Sequence, residues 1–171
     1  MIGIPEPINE AHEVISFISG EASLDDWLRT HALANQERGA SRTYVIAEGA
    51  RVIGYYALAA GAIISSETAG RVRRNMPDPI PVMILGRLAI DKGWQGKGLG
   101  FDLLQNAVVR TLQAAEIVGV RALLVHALHE KIGQFYEKAG FSRSPTNPLV
   151  YMLLLKDARG EIGGTDRSRR E

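Results

Sequence analysis

Four glycines, Gly93, Gly96, Gly98 and Gly100, fall within eight residues between an apolar run and an amphipathic one. Val82 to Ile90 ahead of them is nearly continuous in apolar residues, the pattern of a central buried strand. Behind them, Leu104, Ala107, Val108, Leu112 and Ala115 mark one stripe of a helix expected over Phe101 to Val118. A chain that passes from buried strand to helix through such a turn is confined to folds that mix the two. The glycines let the backbone reverse tightly and bring its N–H groups close to a ligand. The helix start adds unpaired N–H groups and the positive end of a dipole, and Lys97 adds a full charge. The segment reads as a diphosphate cradle, against the simpler reading of a plain strand–helix turn.

Spacing excludes two phosphate loops. A Walker A loop needs Ser or Thr after its lysine, and Lys97 is followed by Gly98. A dinucleotide fingerprint needs a third glycine where Phe101 stands. What remains is Gln95-x-x-Gly98-x-Gly100.

The other elements alternate. Ser23 is the expected cap of a helix whose buried face is Leu24, Trp27, Leu28 and His31-Ala32. Thr43 to Ala47 and Val52 to Leu58 read as a hairpin around Glu48-Gly49-Ala50-Arg51. Ser65 to Pro81, with three prolines near its end, reads as loop. Arg121 to Leu128 is strand, His129 to Ala139 is helix ended by Gly140, and Leu149 to Leu155 is the last strand. Residues 157–171 are polar and read as a frayed tail.

The 171 residues suit one domain, and 46% apolar with 23% charged residues argues against disorder. The absence of cysteine excludes disulfides, thiolate zinc and a cysteine nucleophile. No uncharged apolar run reaches the ~20 residues of a membrane helix, and the N-terminus carries acids rather than a basic signal region, so cytoplasm is expected. The net charge of +1 names no partner, but its distribution is uneven. Residues 1–26 carry −6 and residues 27–110 carry +5. The basic middle either attracts a polyanion or pairs with the acidic start.

Gln95-Gly96-Lys97-Gly98-Leu99-Gly100 resembles the (Q/R)-x-x-G-x-(G/A) motif of the Gcn5-related N-acetyltransferases (GNAT). Gln134-Phe135-Tyr136-Glu137-Lys138-Ala139-Gly140-Phe141 resembles the "FYxxxGF" segment of the same family. A narrower resemblance, to the GNAT toxins of bacterial toxin–antitoxin modules, lies in Phe17 to Gly20, Leu24 to Leu28, Asn35-Gln36, Ser41 to Val45, Gly54 to Leu58, Ile80 to Val82 and Leu85 to Asp91.

The resemblance implies a single α/β (α+β) GNAT domain over 1–156. Its central mixed, mostly antiparallel sheet is flanked by helices and splayed at the central strand. It implies acetyl-coenzyme A as cofactor, with Leu88, Ala89 and Ile90 on the pantetheine arm. Gln95, Gly96, Lys97, Gly98, Leu99 and Gly100 would hold the pyrophosphate, and Phe135 would also contact the cofactor. It implies Tyr136 as general acid to the departing thiolate. The toxins acetylate the α-amino group of aminoacyl-tRNA, are neighbours of ribbon-helix-helix antitoxins and are expected to be homodimers.

The chemistry of the base agrees with that acceptor. Val82 to Ile90 has no carboxylate; Asp91 is nearest, and His126 and His129 are the other candidates. His126 on its apolar strand is expected to be partly buried and satisfied. An α-amine titrates near ~8 and an adjacent ester lowers it further, whereas a lysine side chain near ~10.4 demands a real base. No metal site is expected. For tRNA the candidates are Arg71, Arg73, Arg74, Arg87 and Lys92, with Arg29, Arg38 and Arg42 beside them. A small-molecule amine or protein N-terminus as acceptor, and a coenzyme A-binding module without turnover, are the other readings.

Overall fold

The computed structural model describes residues 2–159. The strands are β1 (Glu6–Pro7), β2 (Arg42–Glu48), β3 (Arg51–Ile63), β4 (Ile80–Ile90), β5 (Ala122–His126), β6 (Ser142–Arg143) and β7 (Val150–Leu154). The helices are α1 (Ala22–Thr30), α2 (Ala32–Glu37), α3 (Gly70–Arg73), α4 (Leu99–Ala115) and α5 (Glu130–Lys138). The strands line up β1-β2-β3-β4-β5-β7-β6 in one seven-stranded sheet. β1 pairs with β2, β2 with β3, β5 with β7 and β6 with β7, each antiparallel.

The chain groups into two compact units, one of residues up to Ala59 with Leu85–Ala107, the other of Ala60–Ile84 with residues from Val108 on. The core of the first unit includes Phe17, Leu24, Leu28, Val45, Val52, Tyr55 and Ala89, with Trp27 packed against it. The helix before this core differs from expectation. Ser23 lies inside α1, whose N-cap is Glu21 with no side-chain cap. Asp25, 5% exposed, instead accepts the N–H and hydroxyl of Ser19. The helix breaks at His31, which is exposed rather than on the buried face. The hairpin β2–β3 is longer than its apolar patterning indicates and carries a bulge at Ile46/Ala47. Gly54 sits where a Cβ would stand 2.8 Å from the Ile90 side chain, so any larger residue there would displace the Ile90 and Ile46 side chains.

In the second unit Ile63, Val72, Ile80, Val82, Leu124, Val150 and Met152 form the core. The expected loop over Ser65 to Pro81 is partly regular. It contains a 3-10 turn at Ser65–Glu67 and the short α3, and β4 begins at Ile80, so Pro81 lies inside the strand. A proline is tolerated so near a strand start, and its carbonyl accepts the N–H of Arg121 at 2.9 Å. Arg121 also donates to the carbonyls of Val72 and Arg71, fastening α3. Gly133 of α5 lies under Tyr151: a Cβ there would stand 2.0 Å from the phenolic oxygen. Gly140 ends α5 with φ +92°, as its position predicts. Residues 155–159 continue as helix, so the start of the expected tail is ordered; Asp157 pairs with Arg71 and Arg159 with Glu116. The rest of that tail, 160–171, lies outside the described residues.

Candidate functional site

The glycine turn is built in the first unit. Asp91 follows β4, and its side chain accepts the N–H of Gly93 at 3.0 Å, capping a 3-10 turn at Lys92–Trp94. Gly96 and Gly98 then adopt φ of +77° and +82°, the left-handed region that a Cβ disfavours. Open space surrounds both: a Cβ on either would touch nothing within 4 Å. The carbonyl of Gly98 accepts the N–H of Asp102 at 3.1 Å, and α4 begins at Leu99, two residues before the expected start. The first N–H groups of a helix have no partner within it. The turn therefore presents backbone donors and the positive end of a 17-residue helix, with no neighbour crowding the positions a side chain would take at Gly96 and Gly98. Those features fit a diphosphate.

Gln95 opens the turn with its side chain directed at the chain's own backbone. Its side-chain amide donates to the carbonyls of Ser19 at 2.7 Å and Ile90 at 2.9 Å. It shapes the turn and fastens it to the segment leading into α1. The Ile90 carbonyl, on the expected pantetheine strand, already accepts this bond. Leu88 is half-buried, Ala89 and Ile90 are buried. Lys97 is exposed with its ammonium 4.7 Å from the Trp94 ring centre. Gly100 lies in the first turn of α4.

Asp91 is not poised as a base. It is 4% exposed and also accepts the N–H of Ile18 at 3.1 Å, with Arg51 at 3.6 Å. Its oxygens face backbone donors and a cation, an arrangement that holds a carboxylate in place. His126, expected to be partly buried, is exposed at the end of β5, because the strand stops there. His129 is exposed as the N-cap residue of α5.

In the second unit, Tyr136 is 4% exposed. Its ring lies among Phe135 at 5.1 Å, Phe141 at 5.6 Å and Tyr151 at 6.1 Å. Among the described residues its hydroxyl has no hydrogen-bond partner. Burial pushes its pKa well above the ordinary phenol range, so it keeps its proton at neutral pH. Phe135 is half-buried beside it.

The expected cations divide by what they touch. Arg71 makes a two-pronged pair with Asp157, both distances 2.8 Å, and Arg73 donates to the Thr68 carbonyl. Arg74 is exposed. Arg29 donates to the carbonyls of Ile15 and Phe17 and pairs with Asp26; Arg42 donates to the Gln36 carbonyl. Arg38 caps α2. Lys92 is exposed, its stem 3.1 Å from where a Cβ on Gly20 would lie. Arg87 stacks on Trp27, its guanidinium carbon 4.4 Å from the ring centre. That contact joins residues sixty apart, and no local pattern signals it.

Among the described residues no group of three or more His, Cys, Asp or Glu is arranged to hold a metal ion, and no helix is long and apolar enough to cross a membrane.

The acetyltransferase (GNAT) domain family matches residues 39–143. The tRNA-acetylating toxin of Mycobacterium tuberculosis is 54% identical over 159 residues, covering 93% of this chain and 96% of the relative. The structure of AtaT complexed with acetyl-methionyl-tRNAfMet matches with a TM-score of 0.87 and 26% identity, over 95% of this chain and 99% of that one. The structure of AtaTR bound with AcCoA matches with a TM-score of 0.79 and 28% identity, over 94% and 98%.

Proposed function

Since the chain belongs to the GNAT acetyltransferase family, we propose that it transfers the acetyl group of acetyl-coenzyme A to the α-amino group of aminoacyl-tRNA. The observation that carries the reading is the strand–turn–helix at Asp91–Leu99, where left-handed, uncrowded Gly96 and Gly98 lead into the N-terminus of α4. When bound, acetyl-coenzyme A supplies the acyl group as a thioester. The turn's N–H groups and Lys97 bind its diphosphate, and the backbone of Leu88 and Ile90, which face the strand edge away from β3, orients its arm.

Transfer forms an N–C bond and breaks the C–S bond; the amine nitrogen loses one proton and the sulfur gains one. Tyr136 is the proton donor of this reading. Its buried phenol is protonated throughout the neutral range, and its hydroxyl is not engaged by another protein group among the described residues. The raised pKa also makes it a reluctant donor, so its hydrogen bond to the sulfur contributes alongside transfer of the proton.

The occupied state of Asp91 bears on the acceptor. With the carboxylate nearest the turn committed to Ile18, Gly93 and Arg51, an acceptor already neutral near pH 7 is favoured. The 54% identity to a tRNA-acetylating toxin supports an α-amine on tRNA. Such a substrate places the reaction in the cytoplasm. In this reading the chain is the toxin of a toxin–antitoxin pair, acts as a homodimer and is neutralised by a ribbon-helix-helix antitoxin.

The test is transfer of radiolabelled acetyl from acetyl-coenzyme A to total charged tRNA, with deacylated tRNA and Tyr136→Phe as controls. The expected result is label on charged tRNA alone, reduced about a hundredfold or more by Tyr136→Phe, with the melting temperature retained. Intact cofactor binding without label on charged tRNA would overturn the acceptor and point to a small amine or a protein N-terminus.

A further inference from the structure

Arg87 occupies β4 one residue before Leu88 and is half-buried. Its guanidinium lies 4.4 Å from the Trp27 ring centre. Trp27 in turn stacks on Tyr55, centroids 6.0 Å apart and planes within 10°. Tyr55 is fully buried, packs edge-on against Phe17 at 5.6 Å, and donates its hydroxyl to the Leu24 carbonyl at 2.6 Å. The column Phe17–Tyr55–Trp27–Arg87 is thus anchored at its buried end and carries a cation at the other.

Among the described residues Arg87 has no carboxylate partner and no hydrogen bond. A half-buried guanidinium offers five N–H donors in a planar fork, strongest toward a doubly bonding anion such as a phosphate. Stacking fixes the plane of that fork in advance, which lowers the ordering cost of binding. Side chains alternate along a strand, so Arg87 shares its face with Ala89, the residue packed in the Trp27–Tyr55 cluster, and Leu88 points to the other face.

We propose that Arg87, held by Trp27, binds the phosphodiester that joins the terminal adenosine of the acceptor strand to its neighbour. This rests on the aminoacyl-tRNA reading above. The cofactor's own diphosphate already has the glycine turn and Lys97. A second phosphate seat beside the strand segment expected to hold the acetyl arm suits the one phosphate of the acceptor that lies within a nucleotide of the reacting amine. Arg71 and Arg73 are already engaged with Asp157 and the Thr68 carbonyl.

Two digests of total charged tRNA test the assignment. Ribonuclease T1 leaves aminoacyl oligonucleotides with the terminal phosphodiester in place. Ribonuclease A leaves aminoacyl-adenosine without it. The wild-type chain should prefer the first substrate by roughly tenfold or more in kcat/KM, the scale of a charge-assisted bidentate contact. Arg87→Met, which keeps a stem of similar length on Trp27, should abolish that preference through loss on the oligonucleotide. Arg87→Lys should keep part of it. Titration with acetyl-coenzyme A should give both variants affinities within about twofold of wild type. A preference that survives Arg87→Met, or an equal fall on both substrates, overturns the assignment. A loss confined to acetyl-coenzyme A binding overturns it in favour of a cofactor phosphate. Turnover of intact charged tRNA but of neither digest overturns this assignment alone; no turnover of intact charged tRNA, by a wild-type chain that binds acetyl-coenzyme A, removes the aminoacyl-tRNA reading and this one with it.

Discussion

The carboxylate of Asp91 accepts the backbone N–H of Ile18 at 3.1 Å, across 73 residues of sequence. The same buried carboxylate takes Gly93 at 3.0 Å, and Lys92 returns an N–H to the Ile18 carbonyl at 2.8 Å. The start of the glycine turn and the segment before α1 are thereby one hydrogen-bonded piece. Two roles of Asp91, base and brace, lead to different experiments.

As a brace, Asp91→Ala leaves two backbone donors without a partner and should cost about 2–4 kcal/mol of stability. Asp91→Asn keeps an acceptor oxygen and should cost less. Denaturant melts check the order. The pH dependence of kcat/KM should keep its shape in Asp91→Asn; disappearance of an acidic limb would restore the carboxylate as a base.

Gly96→Ala and Gly98→Ala meet no steric obstacle, so their cost is that of a left-handed backbone with a Cβ, about 1–2 kcal/mol each. A turn that relaxes by that much loses roughly tenfold in acetyl-coenzyme A affinity by calorimetry. Gly119→Ala, also in open space but with no left-handed φ, is the control and should change neither quantity.

Tyr55 and Tyr136 both have pKa values raised by burial, with Arg87 pulling that of Tyr55 partly back. In the unfolded chain each phenol loses its proton near ~10, while the folded chain keeps it. Above that pH the folded state binds more protons, so stability falls as pH rises, by about 1.4 kcal/mol per unit per tyrosine. Below it the contribution is intact. Urea titrations between pH 9 and pH 11, approximate limits set by the ~10 reference value, should show a shallower fall in Tyr136→Phe. An unchanged slope would mean Tyr136 ionises as readily folded as unfolded.

Arg74→Glu and Arg73→Glu should weaken tRNA binding and each reduce the slope of log Kd against log salt by about one. Arg71→Glu should do less to the slope, because Asp157 already neutralises Arg71. Its effect on stability should stay under about 1 kcal/mol, as both partners are substantially exposed. Acetyl-coenzyme A affinity is the control; a matching loss there would show that the arginines support the fold rather than meet RNA.

The strand, turn and helix around Gly93–Gly100 were readable because their signals are local: an apolar run, glycines and a helical stripe. The end of α5 at Gly140 was readable for the same reason. β1 and β6 were not, because two residues carry no periodicity. Three prolines concealed the start of β4, since Pro81 sits where its missing N–H does little harm. Of the candidate site, Tyr136 and the turn came from local motifs. The bracing by Asp91 and the Arg87–Trp27 stack depend on partners tens of residues away, and nothing in their immediate sequence names those partners. His126 looked half-buried because its strand is apolar, but β5 ends at that residue.

Gln95 is the first letter of the signature that points to this family, yet its side-chain amide meets two carbonyls of the chain itself. Glutamine and arginine, the two residues the signature admits there, share an ability to give two N–H bonds at once. Glutamate has the length of glutamine and no donor. The letter therefore encodes donor number rather than charge, and a sequence scan that finds it detects the scaffold beneath the cradle before it detects any contact with what the cradle holds.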